Sequence, residues 1–185
     1  MTVSTDFEGL ITRRFFKHFL PIPGQRRLLV GQFAPDFALR DVTHQRTVRL
    51  SNYRAKQPLV LAFTRIFTEK QYCPFCFPHI LAMNEAYEQF LARGAEVLMI
   101  TSTDLRQSQI VVRDLGLNLP LLSDESCQSF HQYHTGQALG APLSAQFVLD
   151  PQGRLRYSHM FSFLEHNAGP EKLLAILDVV NQGQA

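Results

Sequence analysis

The sequence predicts an α/β fold: a central mixed sheet with helices on both faces, preceded by an N-terminal helical extension. Three observations predict it. Leu59–Phe63 is continuously apolar and Ala95–Thr101 nearly so, the pattern of strands covered on both faces. Each is followed by a segment of helical periodicity, the order of βαβ units with parallel strands. Further on, Pro151, Gln152 and Gly153 place a turn signal between two strand patterns, a hairpin that adds antiparallel strands.

The elements follow in order. Phe7, Leu10, Ile11, Phe15 and Phe19 form one apolar helical face over residues 6–20. Pro21, Ile22, Pro23 and Gly24 stop it. Residues 1–30 are therefore read as the extension and 31–185 as the domain. The extension docks on the domain or on a second subunit. A membrane-surface helix is the less favoured reading of its aromatics flanked by Arg13, Arg14 and Lys17. These basic residues, with Arg26 and Arg27, read as a solvated face.

Gln32–Leu39 and Arg46–Leu50 read as short strands, and Pro58–Arg65 as the central one. A loop is expected over Ile66–Tyr72, then one long helix from Pro74 to Ala92, ended by Gly94. Ala95–Thr101 is a strand, Thr103–Leu115 a helix closed by Gly116, Leu119–Leu122 a short strand and Glu125–Tyr133 a short helix. Ala145–Asp150 and Arg154–Met160 make the hairpin, and Pro170–Val180 the last helix.

The chain has 185 residues, of which 45% are hydrophobic and 18% charged, and these proportions suit one globular domain with a sizeable core. Its net charge of +2 is too small to imply a nucleic-acid partner. Met1–Glu8 lacks the pattern of a secretory signal, and Leu59–Phe63 is far shorter than a bilayer span. The expectation is a soluble cytoplasmic protein without integral membrane contact. Three cysteines, two of them close together, fit catalysis or metal binding better than a structural disulfide framework.

Cys73 and Cys76 stand just after the central strand, at the mouth of the following helix. A thiolate is the reactive form of cysteine, and unpaired amides with the positive end of the helix dipole favour it. With Pro74 at N1, Cys73 is expected as the exposed N-cap and nucleophile, and Cys76 at N3 as the more buried resolving thiol. Arg65, at the strand end, either adds positive charge beside the thiolate or is a surface arginine. The competing reading is a zinc clip built on Cys73, Cys76 and His79, with Cys127 and His131 as another pair. The helix launched by Pro74 argues against it. Three cysteines exclude a four-cysteine iron–sulfur cluster within one chain. Cys127 is read as a buried small apolar residue, and His79 as a helix-face histidine. No cofactor or metal is assigned.

Several segments resemble one family in order. They are Gly31–Leu39, Val48–Arg54, Leu59–Phe63, Gly94–Ile100, Leu121–Asp124, and Phe147–Asp150 with Gly153. Over residues 31–160 the chain resembles the peroxiredoxin and alkyl hydroperoxide reductase branch of the thioredoxin superfamily. The resemblance implies a thioredoxin-like fold and an antioxidant thiol-disulfide oxidoreductase acting through Cys73 and Cys76. It implies a peroxide or protein disulfide as substrate, and a thiol reductant such as a thioredoxin or glutathione system. It makes a homodimer an expectation to test.

The site departs from the family's pattern. The family hydroxyl falls nearest Thr68, a candidate catalytic residue, but Thr68 stands five residues before Cys73 rather than three. The family arginine falls on Ser144. The dithiol itself resembles thioredoxin, with Ala145 where thioredoxin places a cis-proline. Arg65 matches peroxiredoxin-like proteins whose Cys-x-x-Cys follows a strand ending Phe-x-Arg. The rival class is a binding protein, in which this fold is a platform and the dithiol a redox sensor or zinc clip.

Overall fold

The computed structural model describes residues 13–183. In chain order the elements are α1 (Arg13–Lys17), β1 (Ala38–Asp41), β2 (Arg46–Arg49), β3 (Leu59–Thr64), β4 (Ile66–Thr68), β5 (Gln71–Tyr72), α2 (Cys76–Glu85) and α3 (Tyr87–Ala92). There follow β6 (Glu96–Thr101), α4 (Leu105–Leu115), β7 (Leu121–Ser123), α5 (Gln128–Gln132), β8 (Gln137–Ala138), β9 (Ala141–Pro142), β10 (Ala145–Leu149), β11 (Leu155–Met160) and α6 (Pro170–Gln182).

Among the described residues seven strands form one sheet, in the order β11-β10-β3-β6-β7-β1-β2. β3, β6 and β7 run parallel, while β10 pairs antiparallel with β3 and β11, and β1 with β7 and β2. This is the predicted mixed sheet. The alternation of β3 and β6 divides the core. Val60, Ala62, Val97 and Met99 face a layer built by α2, α3, α4 and α6. Leu59, Leu61, Phe63, Leu98 and Ile100 face the other layer, where α5 supplies Phe130, beside Tyr133 and Phe37. Helices cover both faces, unequally.

Local rules account for the helix ends. Asp104 caps α4 by accepting the Gln107 amide at 2.7 Å, and Gly116 ends it in the left-handed region at φ 58°.

Four expectations are corrected. The first strand begins at Ala38 rather than Gln32, because the preceding residues are held by scattered bonds such as Ala34 N–H to Gly153 O. Residues 66–72 are a hairpin, β4 with β5, rather than a loop. The helix expected over 74–92 is two, since the chain tightens at Ala86 (ψ −1°), where Gln89 donates to the Ala86 carbonyl three residues back. Of the helix expected over 6–20, the structure shows Arg13–Lys17, and residues 6–12 lie outside the described residues.

Candidate active site

The central strand delivers the site. β3 ends at Thr64, and Arg65 starts an excursion through the β4–β5 hairpin that returns at Cys73. The Cys73 amide donates to the Arg65 carbonyl at 3.3 Å, closing the excursion. The Cys73 carbonyl then accepts the amides of Cys76 (2.9 Å) and Phe77 (3.0 Å), which starts the helical turn. Regular helix begins at Cys76, with Phe75 rather than Cys73 as N-cap, because Pro74 and Phe75 are spent on the turn. The Phe75 and Cys76 amides of that turn favour the charged form of the first thiol.

Both thiols are buried, Cys73 at 3% exposure and Cys76 at 1%. The expected exposure of Cys73 is therefore corrected: the hairpin folds Arg65 over it. The neighbouring Cys76 thiol lowers the Cys73 pKa most. Burial opposes the shift; the amides of Phe75 and Cys76 and the charge of Arg65 add to it. Cys76 is pushed the other way, first by sharing its proton with Cys73 and then by burial. The two shifts run in opposite directions, so Cys73 is the thiol that loses its proton more readily. The Arg65 amide and the Ser144 hydroxyl oppose the rise at Cys76 in part.

Arg65 is buried, not a surface arginine, and its charge acts on the Cys73 thiol. Its guanidinium lies 4.6 Å from the centre of the Phe67 ring and donates through Nη2 to the Ala138 carbonyl. Burial lowers its pKa, yet an arginine so placed stays charged. Its Nε is buried without a hydrogen-bond partner.

Thr68 is buried in the turn of the hairpin, where its hydroxyl accepts the Lys70 amide at 3.2 Å. The structure brings Arg65, Cys73, Cys76 and Ser144 together and assigns Thr68 this local bond instead. Ser144 is buried, and its hydroxyl donates to the His166 carbonyl at 3.5 Å.

The zinc alternative lacks a ligand set: among the described residues no three His, Cys, Asp or Glu side chains are grouped to hold a metal ion. The buried His79 ring instead bonds through Nε2 to the Ala168 carbonyl at 2.9 Å, tying α2 to the start of α6. Cys127 is fully buried against the second core layer, and burial raises its pKa to about 11.

Sequence reasoning missed the rim. The Phe75 ring stacks on His166 at 3.6 Å between centroids, and Asn167 Nδ2 donates to the Phe75 carbonyl at 3.0 Å. Phe161 bridges Phe75 to Phe163, and Phe163 is 87% and Leu164 99% exposed. The adjacent Phe161, Phe163 and Leu164 in the sequence are the signal that could have found it.

The AhpC/TSA family model matches residues 30–158. The chain is 30% identical over 174 residues to "Putative peroxiredoxin ycf42" of Porphyra purpurea, covering 89% of this chain and 84% of the relative. It is 30% identical over 129 residues to "Thiol-disulfide oxidoreductase ResA" of Geobacillus kaustophilus, covering 69% and 67%. The crystal structure of Enterococcus faecalis AhpC superposes with a TM-score of 0.73 at 16% identity, over 85% of this chain and 95% of that one. This likeness bears on the fold alone.

Proposed function

The chain belongs to the AhpC/TSA family, and from that premise we propose a thiol-dependent peroxidase in which Cys73 attacks and Cys76 resolves. The carrying observation is the buried Cys73–Cys76 pair closed onto the end of β3 beside the buried Arg65, with the Cys73 pKa lowered first by Cys76 and further by the Arg65 charge. The Cys73 thiolate attacks one peroxide oxygen; an S–O bond forms, the O–O bond breaks, and the other oxygen leaves as water or alcohol after taking a proton. Cys76 then attacks the Cys73 sulfenic acid, a disulfide forms and water departs. A thiol reductant, such as a thioredoxin or glutathione system, returns two electrons and two protons.

Burial of Cys73 at 3% favours a small hydroperoxide over a protein disulfide in the first step. The cation that stabilises the developing charge comes from Arg65, at the end of β3, in a chain whose family position for arginine holds Ser144. Preorganised donors of this kind are worth roughly 10²–10³ in rate. The exposed Phe163 and Leu164, continuous with Phe75, provide a seat for a protein reductant. A reducing compartment such as the cytoplasm suits three free thiols.

The test is mass spectrometry of the Cys73–Cys76 peptide after reduction, equimolar hydrogen peroxide and an alkylating quench. Loss of two hydrogens within seconds is expected in the wild type and not in Cys73→Ser; Cys76→Ser should stop at a sulfenic acid that dimedone traps. Slow oxidation of the folded wild type would sink the peroxidase. The ResA relative would then make disulfide exchange the first alternative, read by a mixed disulfide trapped in Cys76→Ser.

A further inference from the structure

α1 and the segment after it run across the loops that hold the site. Arg14, buried in part, reaches inward instead of forming the solvated face its neighbours suggest. Its Nη2 donates to the Phe67 carbonyl, and its Nη1 to the Ser102 carbonyl at the end of β6. Phe67 is the residue whose ring lies under the Arg65 guanidinium.

The same segment holds the other partner of Arg65. Ala138 lies in β8, and its hairpin is bonded on both sides of that residue to residues 17–22. Gln137 exchanges two backbone bonds with Ile22, each 2.8 Å, and its side-chain amide donates to the Lys17 and Leu20 carbonyls at 3.3 Å. Leu139 donates to the Phe19 carbonyl and Gly140 to the His18 carbonyl, each at 3.0 Å. Gly140 is required here: a Cβ would overlap the Phe15 ring.

Arg65 thus has two fixed points besides the thiol, the Phe67 ring and the Ala138 carbonyl, and residues 14–22 hold both. Its guanidinium is tethered by few bonds, so its distance from Cys73 depends on those points. We propose that residues 14–22 are a strap that positions Arg65 over the dithiol, and that Arg14 is the positioning residue through its grip on Phe67. This rests on the reading of Arg65 as the cation that holds the Cys73 thiolate.

The experiment measures the rate of Cys73 alkylation by iodoacetamide against pH in the full chain, with a thermal melt of each variant. Arg65→Gln should raise the midpoint of the profile by about one unit, the size of a lost neighbouring charge. Arg14→Ala should raise it by a smaller amount, and Arg14→Lys, able to serve one carbonyl, less again. Adding Arg14→Ala to Arg65→Gln should move the midpoint no further, since positioning acts only through Arg65; a direct charge effect of Arg14 would persist there and overturn the proposal. A lowered melting temperature with an unmoved midpoint in Arg14→Ala means a merely structural strap and also overturns it. Should Arg14→Ala not fold, the midpoint of Arg14→Lys decides in the same way. If Arg65→Gln leaves the midpoint unmoved, the underlying reading of Arg65 fails, whatever Arg14 does.

Discussion

The Arg65 carbonyl accepts the Cys73 amide at 3.3 Å, while the charge of the buried Arg65 side chain helps lower the Cys73 pKa. One residue at the end of the central strand therefore fixes the backbone of the nucleophile and adds to the stabilisation of its charge, to which Cys76 contributes most.

Replacing Arg65 with lysine separates these two roles. The backbone bond stays, so the fold should be kept. The compact ammonium cannot lie flat on Phe67 while reaching Ala138 and the thiol together. The Cys73 pKa, held below the ordinary thiol value of about 8.5, should rise toward it. A group with a lowered pKa keeps its charged form to lower pH, so wild-type oxidation by peroxide should stay flat from alkaline pH to neutrality and fall on acidification. In Arg65→Lys the fall should begin at higher pH, with a rate at neutrality lower by about tenfold, less than the roughly 10²–10³ lost with an entire oxyanion donor. Stopped-flow competition with a peroxidase of known rate measures both.

Cys127 should take no part in turnover. Its thiol is neutral at physiological pH, with a pKa raised to about 11 by burial, and it packs among the second-layer aromatics. Cys127→Ala should leave peroxide oxidation and the Cys73–Cys76 disulfide unchanged. It should destabilise the chain by about 1 kcal/mol through the space left by sulfur. Cys127→Ser should cost more, about 1–3 kcal/mol, since a hydroxyl is buried in its place. Peroxide kinetics with denaturant melts test this, and a lost turnover in Cys127→Ala would make it a third redox thiol.

The exposed rim residues should matter to recycling and not to oxidation. Phe163 and Leu164 bury almost nothing in this chain, so changing both to serine should leave stability within about 0.5 kcal/mol. Oxidation of Cys73 by hydrogen peroxide and reduction by dithiothreitol should be unchanged. Reduction by a thioredoxin should slow several-fold if that face seats it. Equal slowing with both reductants would place the effect in the dithiol, not in docking.

The placement of the dithiol was legible in the sequence because two signals coincide there: the apolar run of β3 and a Cys-x-x-Cys with proline after its first cysteine. Arg65 was legible as a candidate by its place at the strand end, although nothing local distinguished a buried guanidinium from a surface one. What was not legible depends on distant partners. The carbonyls that receive Arg14 belong to Phe67 and Ser102, 53 and 88 residues away, so a local charge pattern read it as solvated. The β4–β5 hairpin turns through Glu69 and Lys70, without the glycine or asparagine that marks such turns. Thr68 was a candidate by residue type alone, and the bond its hydroxyl accepts from the Lys70 amide depends on a hairpin that the local sequence does not announce.

Acid should loosen the strap at His18. Its ring is buried at 1% exposure and stacks on His131 with 5.7 Å between centroids. Nδ1 bonds to the Arg14 carbonyl at 3.0 Å, so the hydrogen-bond network assigns the proton there, and the buried Nε2 has no partner. A second proton would be placed on Nε2 with nothing to accept it. Burial lowers the His18 pKa, and the nearby His131, Lys17 and Arg14 lower it further against the bond to the Arg14 carbonyl. The unfolded histidine therefore binds its proton first, at about pH 6.5. The stability linked to His18 is complete above that pH and is lost as pH falls through the lower folded value. Hydrogen exchange of residues 14–22 should accelerate between pH 7 and 5, after correction for intrinsic rates, and more than exchange in β3 and β6. His18→Leu should flatten that local pH dependence. A strap that opens no faster at pH 5 than at pH 7 would show that His18 does not gate it.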